Sequence, residues 1–379
     1  MTTHEMTIDG TRIADDTDCY VIAEVGHNHQ GSMETAKAMF LSAKDCGADA
    51  VKLQKRDNRS LYTHEGYNRS YNNRNSYGAT YGEHREALEF GWDEHIELKR
   101  YAAEIGITFF STAFDFASVE FLESLDIPAF KVASGDLKNI PLLKVIAETG
   151  KPMIVSTGAS EMEDVERAYE AIMAINPQLC IMQCTAGYPA EFEELDLRVI
   201  QMYRERLAEI VVGYSGHDNG ISMPLAAYML GARVIEKHFT LNHTWKGTDH
   251  AFSLEPIGMR KMVRDLQRAR IAMGDGVKKC YDSEASAGIK MGKKIVAAHD
   301  LAASKVLERD DLALKSPGDG LPPYELLKVI GKRLRAAVTA DTSLSWEMLV
   351  EEGADEALAG DAETRLTEDD AVERGARDH

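Results

Sequence analysis

The sequence predicts a (β/α)8 barrel followed by a small strand-rich domain, and three observations carry that prediction. Short apolar runs alternate with stretches of helical period eight times between residues 20 and 273. The runs are almost continuously apolar, as parallel strands covered by helices must be. No G-x-G-x-x-G follows the first run, so an open dinucleotide-binding sheet lacks its main support. Eight units over roughly 250 residues suit a closed barrel.

In order, the predicted strands lie near residues 20–24, 50–53, 108–112, 129–132, 153–156, 180–184, 210–214 and 234–238. The predicted helices lie near 33–46, 93–105, 116–125, 141–149, 162–175, 197–207, 222–230 and 256–273. Residues 1–19 read as a lead-in and 20–275 as the catalytic domain. The long interruption after the second strand, residues 55–89, is rich in Asn, Tyr, Arg and Gly and reads as a functional loop. Beyond Gly274 the texture changes. A linker at 276–289 leads to a domain at 290–352, with apolar runs at 295–298 and 335–338 and turn chemistry at Ser316-Pro317-Gly318 and Leu321-Pro322-Pro323. At about 70 residues this domain is near the lower limit for independent stability, so it is expected to pack on something else. The acidic segment 353–379 lacks apolar period and is expected to be disordered.

Composition narrows the partners. A formal net charge of −19 argues against nucleic acid and anionic membranes, although a few local lysines can still hold a small anion. No apolar run approaches the length of a bilayer span, and the polar start reads as neither a signal nor a transit peptide. The five cysteines (Cys19, Cys46, Cys180, Cys184 and Cys280) include no CxxC pair, which suggests free thiols in the cytoplasm.

In such a barrel the working residues stand at the C-terminal ends of the strands. Those positions hold Glu24, Lys52 with Gln54, Thr112, Lys131 followed by Ser134, Ser156-Thr157-Gly158, Cys184-Thr185, Ser215 with His217, and Glu236 with His238. Packing does not explain so many polar residues at one edge, and the two lysines with several hydroxyls suit an anion. A lone histidine is more often structural than a ligand. Here His217 and His238 end adjacent strands, which points to a metal with open positions, Mn²⁺ or a similar ion rather than a closed zinc site. Lys52 and Lys131 can also pair with Glu24 and Glu236 across the barrel mouth. Cys184 reads as a packed side chain rather than a nucleophile. His27 and His29 read as residues that order their loop.

These residues together resemble the sialic acid synthase family. The matching motifs are Ile22-Ala23-Glu24-Val25-Gly26 with Asn28-His29-Gln30-Gly31, Val51-Lys52-Leu53-Gln54, and Phe130-Lys131-Val132-Ala133-Ser134-Gly135-Asp136. Further on come Gln183-Cys184-Thr185 with Tyr188-Pro189, Gly213-Tyr214-Ser215-Gly216-His217, Ile235-Glu236-Lys237-His238 and Gly247-Thr248-Asp249-His250. The resemblance spans roughly residues 20 to 347, and its second part is similar to the antifreeze-like (SAF-type) domain of that family. It implies condensation of phosphoenolpyruvate with an N-acylmannosamine-type sugar, and a homodimer whose C-terminal domain reaches the partner's barrel.

By this resemblance Lys52, Thr112, Lys131, Ser134, Ser156 and Ser215 bind phosphoenolpyruvate, and Glu24, Glu236, Lys52 and Lys131 are catalytic. Gln54, Asp136, Tyr188 and Asp249 face the sugar, and His217 and His238 hold Mn²⁺, with Mg²⁺ or Co²⁺ as alternatives. Thr80-Tyr81-Gly82-Glu83-His84-Arg85 and Thr244-Trp245-Lys246-Gly247 are most similar to the animal type, whose acceptor is the 6-phosphate of N-acetylmannosamine. Ser316 stands where the bacterial type carries an arginine that reaches the N-acyl group, which leaves other acceptors open, such as mannose, its 6-phosphate, or the 2,4-diacetamido sugar leading to legionaminate.

Overall fold

A computed structural model describes residues 5–207 and 209–350, so the expected disordered tail lies outside the described residues. The chain divides after Asp275 into two compact units.

The first unit opens with a hairpin, β1 (Glu5–Ile8) and β2 (Thr11–Ala14), turned by Asp9 and Gly10 at positive φ. What reads as a lead-in is therefore structured. Alternation along the hairpin sends Met6, Ile8 and Ile13 into the main core. Thr7 N–H donates to Gln178 at 3.1 Å and Asp9 accepts from Thr108 at 3.1 Å, so the hairpin lies at the end where the barrel strands begin.

Eight parallel strands then close on themselves: β3 (Tyr20–Gly26), β4 (Ala50–Lys55), β5 (Thr108–Ala113), β6 (Phe130–Val132), β7 (Met153–Ser156), β8 (Leu179–Cys184), β9 (Val211–Gly216) and β10 (Val234–His238). Sequence neighbours pair all the way round, and β10 returns to β3. Every expected helix of the barrel forms, with bounds shifted by a few residues. One side-chain set of each strand, such as Val21, Ala23, Val51, Leu53, Val132 and Val155, is wholly buried in the main hydrophobic core. The other set changes character along each strand, from Ile22, Phe110, Ile154 and Val234 to Glu24, Thr112, Ser156 and Glu236 near the outgoing end.

Register sets the height of that polar layer. Lys52 stands opposite Glu24, Thr112 opposite both Gln54 and Lys131, and Ser215 opposite Glu236. The ladder between β3 and β4 slips after Glu24, where Gly26 has φ 53°. A Cβ there would lie 3.0 Å from Glu24 Oε1 and 3.2 Å from Gln54 Nε2, so glycine keeps room for both side chains.

The segment 55–89 is more ordered than a loop reading suggests. It contains helices Asn58–Leu61, His64–Asn68 and Tyr81–Glu86, started by side-chain caps from Asp57, Thr63 and Thr80. Tyr62, Tyr71, Tyr81 and His84 pack ring against ring to hold it together.

The second unit has its own small core, including Ile295, Leu307, Leu312, Val329, Leu334 and Leu349. Its strands are β11 (Lys294–Ala297) with β12 (Leu312–Lys315), and β13 (Arg333–Leu334) with β14 (Leu349–Val350). Two expectations shift. The linker 276–289 carries the start of a helix, Asp282–Met291, and the run 335–338 contributes one bridge, Val338 to Leu301, rather than a strand.

A buried pair fixes the segment between β9 and its helix. Lys237, whose side chain is 1% exposed, hydrogen-bonds the backbone carbonyl of Asp218 and lies 3.2 Å from its carboxylate. Tyr214 O–H donates to the same carboxylate at 2.7 Å. Lys237→Met leaves that carboxylate buried without its cation and is expected to cost about 3–5 kcal/mol of stability. A urea melt checks this; a change within ~0.5 kcal/mol contradicts it.

Candidate active site

The polar layer is one connected network. Lys52 pairs with Glu24, donates to Thr112 Oγ1 at 2.7 Å and lies 3.9 Å from Glu236. Lys131 lies 3.9 Å from Glu236 and donates to Ser156 Oγ at 2.6 Å. Ser215 donates to Glu236 at 3.1 Å, and Gln54 donates to Glu24 at 2.7 Å. Eight residues read from strand ends thus meet in one place. The four ionisable members are almost completely buried, Glu24 at 1% exposure and Glu236 at 6%.

Burial and mutual charge pull these groups in different directions. Burial raises the pKa of Glu24 to about 6, with Lys52 opposing and Glu236 reinforcing the rise. On Glu236 burial also pushes upward, but Lys52, Lys131 and His238 outweigh it and hold the carboxyl low. Burial lowers the Lys131 ammonium, against the pull of Glu236. The two carboxylates are therefore inequivalent, one poised near neutrality and one firmly ionised.

The two imidazoles stand at the same rim. The rings of His217 and His238 are 5.3 Å apart between centroids, with Tyr188 4.1 Å from His217 and Phe252 5.0 Å from His238. His217 Nδ1 faces the Thr185 carbonyl at 2.8 Å, which places the proton on that nitrogen and leaves Nε2 as a lone-pair donor. His238 is held towards its neutral form, burial being the largest influence and Asp249 and Glu236 opposing it. Its Nδ1 is buried without a hydrogen-bond partner, 3.7 Å from Asp249 Oδ2.

Among the described residues no group of three or more His, Cys, Asp or Glu is arranged to hold a metal. Two imidazoles fit an open site whose other positions would be filled by water and substrate oxygens, and do not fit a closed structural one.

The remaining expected residues fall around this centre unevenly. Ser134 Oγ accepts from the Gly158 N–H at 2.9 Å, beside the turn that follows β7. Tyr188 and Asp249 border the imidazoles. Asp136 lies in the 3-10 turn Ser134–Asp136 that follows β6. Burial raises its pKa to about 6, and its nearest influences are Asn139, Arg56 and Asp115. Cys184 Sγ is 4.0 Å from His217 Nδ1; burial raises its pKa, but His217, Ser134 and Lys131 outweigh this and draw the thiol below its usual range.

Two features were not singled out from the strands. One is the Lys237–Asp218 pair behind His217. The other is Arg56, which donates to Gln54 Oε1 at 2.7 Å. Period-2 spacing could have found it, because Lys52, Gln54 and Arg56 are successive alternate residues.

A closed parallel barrel with buried paired charges, hydroxyls and two imidazoles at its outgoing rim defines an enzyme site for a small anionic substrate. The chain belongs to the NeuB family, which it matches over residues 39–278, and residues 294–350 match the SAF domain. It is 40% identical over 336 residues to the human (Homo sapiens) N-acetylneuraminate-9-phosphate synthase, covering 88% of this chain and 94% of that one. It is 34% identical to the N,N'-diacetyllegionaminic acid synthase of Legionella pneumophila, covering 87% and 94%. The N-acetylneuraminic acid synthetase of Leptospira borgpetersenii, crystallised with citrate, superposes with a TM-score of 0.66 at 29% identity, covering 75% of this chain and 95% of that one.

The raised pKa of Glu24 gives a pH expectation. Below about 6 its carboxylate takes up a proton and the pair with Lys52 is lost, so kcat/KM falls on the acid side of that value. Glu24→Gln is expected to cost about 100-fold or more in kcat and to remove that acid limb. A pH–rate profile checks both, and a limb that persists unchanged in the variant contradicts the assignment.

Proposed function

We propose that this protein condenses phosphoenolpyruvate with N-acetylmannosamine 6-phosphate, or with the free sugar, to give the corresponding N-acetylneuraminate and phosphate. The observation that carries this is the meeting of Lys52, Lys131, Glu24 and Glu236 with the His217–His238 pair at one barrel rim. The name of the human relative favours the phosphorylated acceptor.

In this reading Lys52, Lys131, Thr112, Ser134, Ser156 and Ser215 hold the carboxylate and phosphate of phosphoenolpyruvate. Burial excludes bulk water, so each charge contact counts for more than at the surface. The enol carbon bonds to the aldehyde carbon of the open-chain sugar as the carbonyl π pair moves to its oxygen, leaving an alkoxide there and positive charge on the carbon that bears the phosphate. Glu236, ionised and central, faces that charge. Glu24, poised near neutrality, takes a proton from the water that adds there and passes it to the alkoxide; the resulting tetrahedral carbon collapses to the ketone, its hydroxyl proton leaving with phosphate as the C–O bond breaks. Gln54, Asp136, Tyr188 and Asp249 orient the sugar, Asp136 through Arg56, whose charge acts on it. A divalent ion at His217 and His238, Mn²⁺ in this reading, supplies Lewis acidity to the aldehyde when bound.

A relative named for legionaminate supports a second acceptor, the 2,4-diacetamido sugar, and Ser316 in place of arginine leaves the acyl group open. The same reading includes a homodimer, supported by the exposure of Tyr324 and Leu327 on the small domain. It also places the protein in the cytoplasm, supported by five unpaired cysteines. Among the described residues no helix is long and apolar enough to cross a membrane.

His217→Ala and His238→Ala are each expected to abolish phosphate release and to weaken Mn²⁺ binding measured by calorimetry. Near-normal turnover in either contradicts the metal assignment. Lys131→Met is expected to raise the KM for phosphoenolpyruvate by about tenfold or more while moving that for the sugar little. Steady-state kinetics with each substrate varied separate the two; an unchanged KM for phosphoenolpyruvate contradicts the role given to Lys131.

A further inference from the structure

We infer that the guanidinium groups of Arg56 and Arg85, disposed on either side of His27, form the subsite for the phosphate of a 6-phosphorylated acceptor sugar and so set the preference for phosphorylated over free acceptor. This rests on the proposed condensation and deepens it.

The argument begins with donors that lack acceptors. Arg56 Nη1 lies 3.3 Å from His27 Nε2, and Arg85 Nη1 lies 3.1 Å from His27 Nδ1. A neutral imidazole offers one lone pair, so it can accept from only one of the two guanidinium groups. Burial, and then Arg56 and Arg85 themselves, keep His27 neutral. One N–H of the pair is therefore aimed at a ring nitrogen that cannot receive it.

Charge is out of balance in the same place. Arg85 makes no ion pair among the described residues; its other nitrogens share the Tyr81 hydroxyl, at 3.1 and 2.7 Å. Glu89 is shared: its Oε2 meets Lys55 at 3.2 Å and accepts from the Arg56 backbone N–H at 3.3 Å, while its Oε1 lies 3.6 Å from His27 Nε2 and 3.9 Å from Arg56 Nη1. One carboxylate thus faces both Lys55 and Arg56, and among the described residues none pairs with Arg85. Asp249 sits beside His238. Arg56 is 7% exposed, and its guanidinium lies 3.7 Å from the Phe114 ring centroid, which fixes its plane. Two adjacent, largely buried cations with a shortage of carboxylates are costly alone and well matched to a phosphate, which accepts from the arginine fork in two places at once.

The position also fits. Gln54 links the two regions directly, donating to Glu24 and accepting from Arg56, each at 2.7 Å. An acceptor whose aldehyde lies at the His217–His238 rim therefore points its far end past Gln54 and Asp249 towards Arg56 and Arg85. A purely structural role, bracing segment 55–89, accounts for the contacts to Tyr81 but not for the surplus donors.

The test compares wild type, Arg85→Gln and Arg85→Lys, all full length, with N-acetylmannosamine 6-phosphate and free N-acetylmannosamine at saturating phosphoenolpyruvate and Mn²⁺. Wild type is expected to prefer the phosphorylated sugar. In Arg85→Gln the ratio of kcat/KM for phosphorylated over free sugar is expected to fall about 10- to 100-fold, through KM of the phosphorylated sugar and not that of phosphoenolpyruvate. Arg85→Lys keeps the charge but not the fork and is expected to show an intermediate ratio; it reads the same quantity if thermal melts show the glutamine variant unfolded. A wild type without preference, or a ratio unchanged in a folded variant, overturns the subsite. Absence of condensation with either sugar in wild type refutes the reaction itself instead.

Discussion

Two carboxylates and two ammonium groups buried in one layer of a barrel are the constraint on which the rest of this structure turns. Removing such groups from water costs several kcal/mol each, and pairing seldom returns more than that. Glu24, Lys52, Lys131 and Glu236 are therefore poorly explained as stabilising elements. They persist because each lies beside the next and because Thr112, Ser156, Ser215 and Gln54 hydrogen-bond them from neighbouring strands. A site so organised meets an anionic reactant without having to reorient, which is where preorganised charge is most useful to catalysis.

The barrel supplies the geometry and the loops supply discrimination. Parallel register puts Lys52 level with Glu24 and Ser215 level with Glu236, so distances in the network are set by the sheet ladder rather than by flexible segments. The surroundings of the imidazoles come instead from connections: Thr185 orients His217, and Asp249 stands beside His238. Segment 55–89 brings Arg85 against His27, on the side where Gln54 joins Arg56 to Glu24. In the proposed reading the first part is common chemistry and the second decides which sugar is accepted.

Much of this was legible in the sequence because strand period and barrel topology are strong local signals. Alternation alone puts Glu24, Lys52, Thr112, Lys131, Ser156, Ser215 and Glu236 on one face of their strands, and closure of the barrel brings them together. The hairpin at Asp9-Gly10 was equally readable, since that dipeptide between alternating residues is a turn signal, yet its burial depends on the open end of a barrel that only the fold supplies. Segment 55–89 was harder. Its short helices are held by caps and by tyrosine–histidine packing, interactions too irregular to leave a period. Asp136, read from the same motif as a sugar contact, has Asn139, Arg56 and Asp115 as its neighbours in charge and hydrogen bonding, surroundings that come from other elements and leave no mark beside it in the sequence.

The account stands or falls on where phosphoenolpyruvate sits. A crystal structure of the full-length protein with phosphoenolpyruvate and Mn²⁺ measures that directly. The account predicts the carboxylate and phosphate against the ammonium groups of Lys52 and Lys131, with the enol carbon turned towards the His217–His238 rim. Phosphoenolpyruvate bound away from those lysines, with the buried charge layer left unchanged, would contradict it.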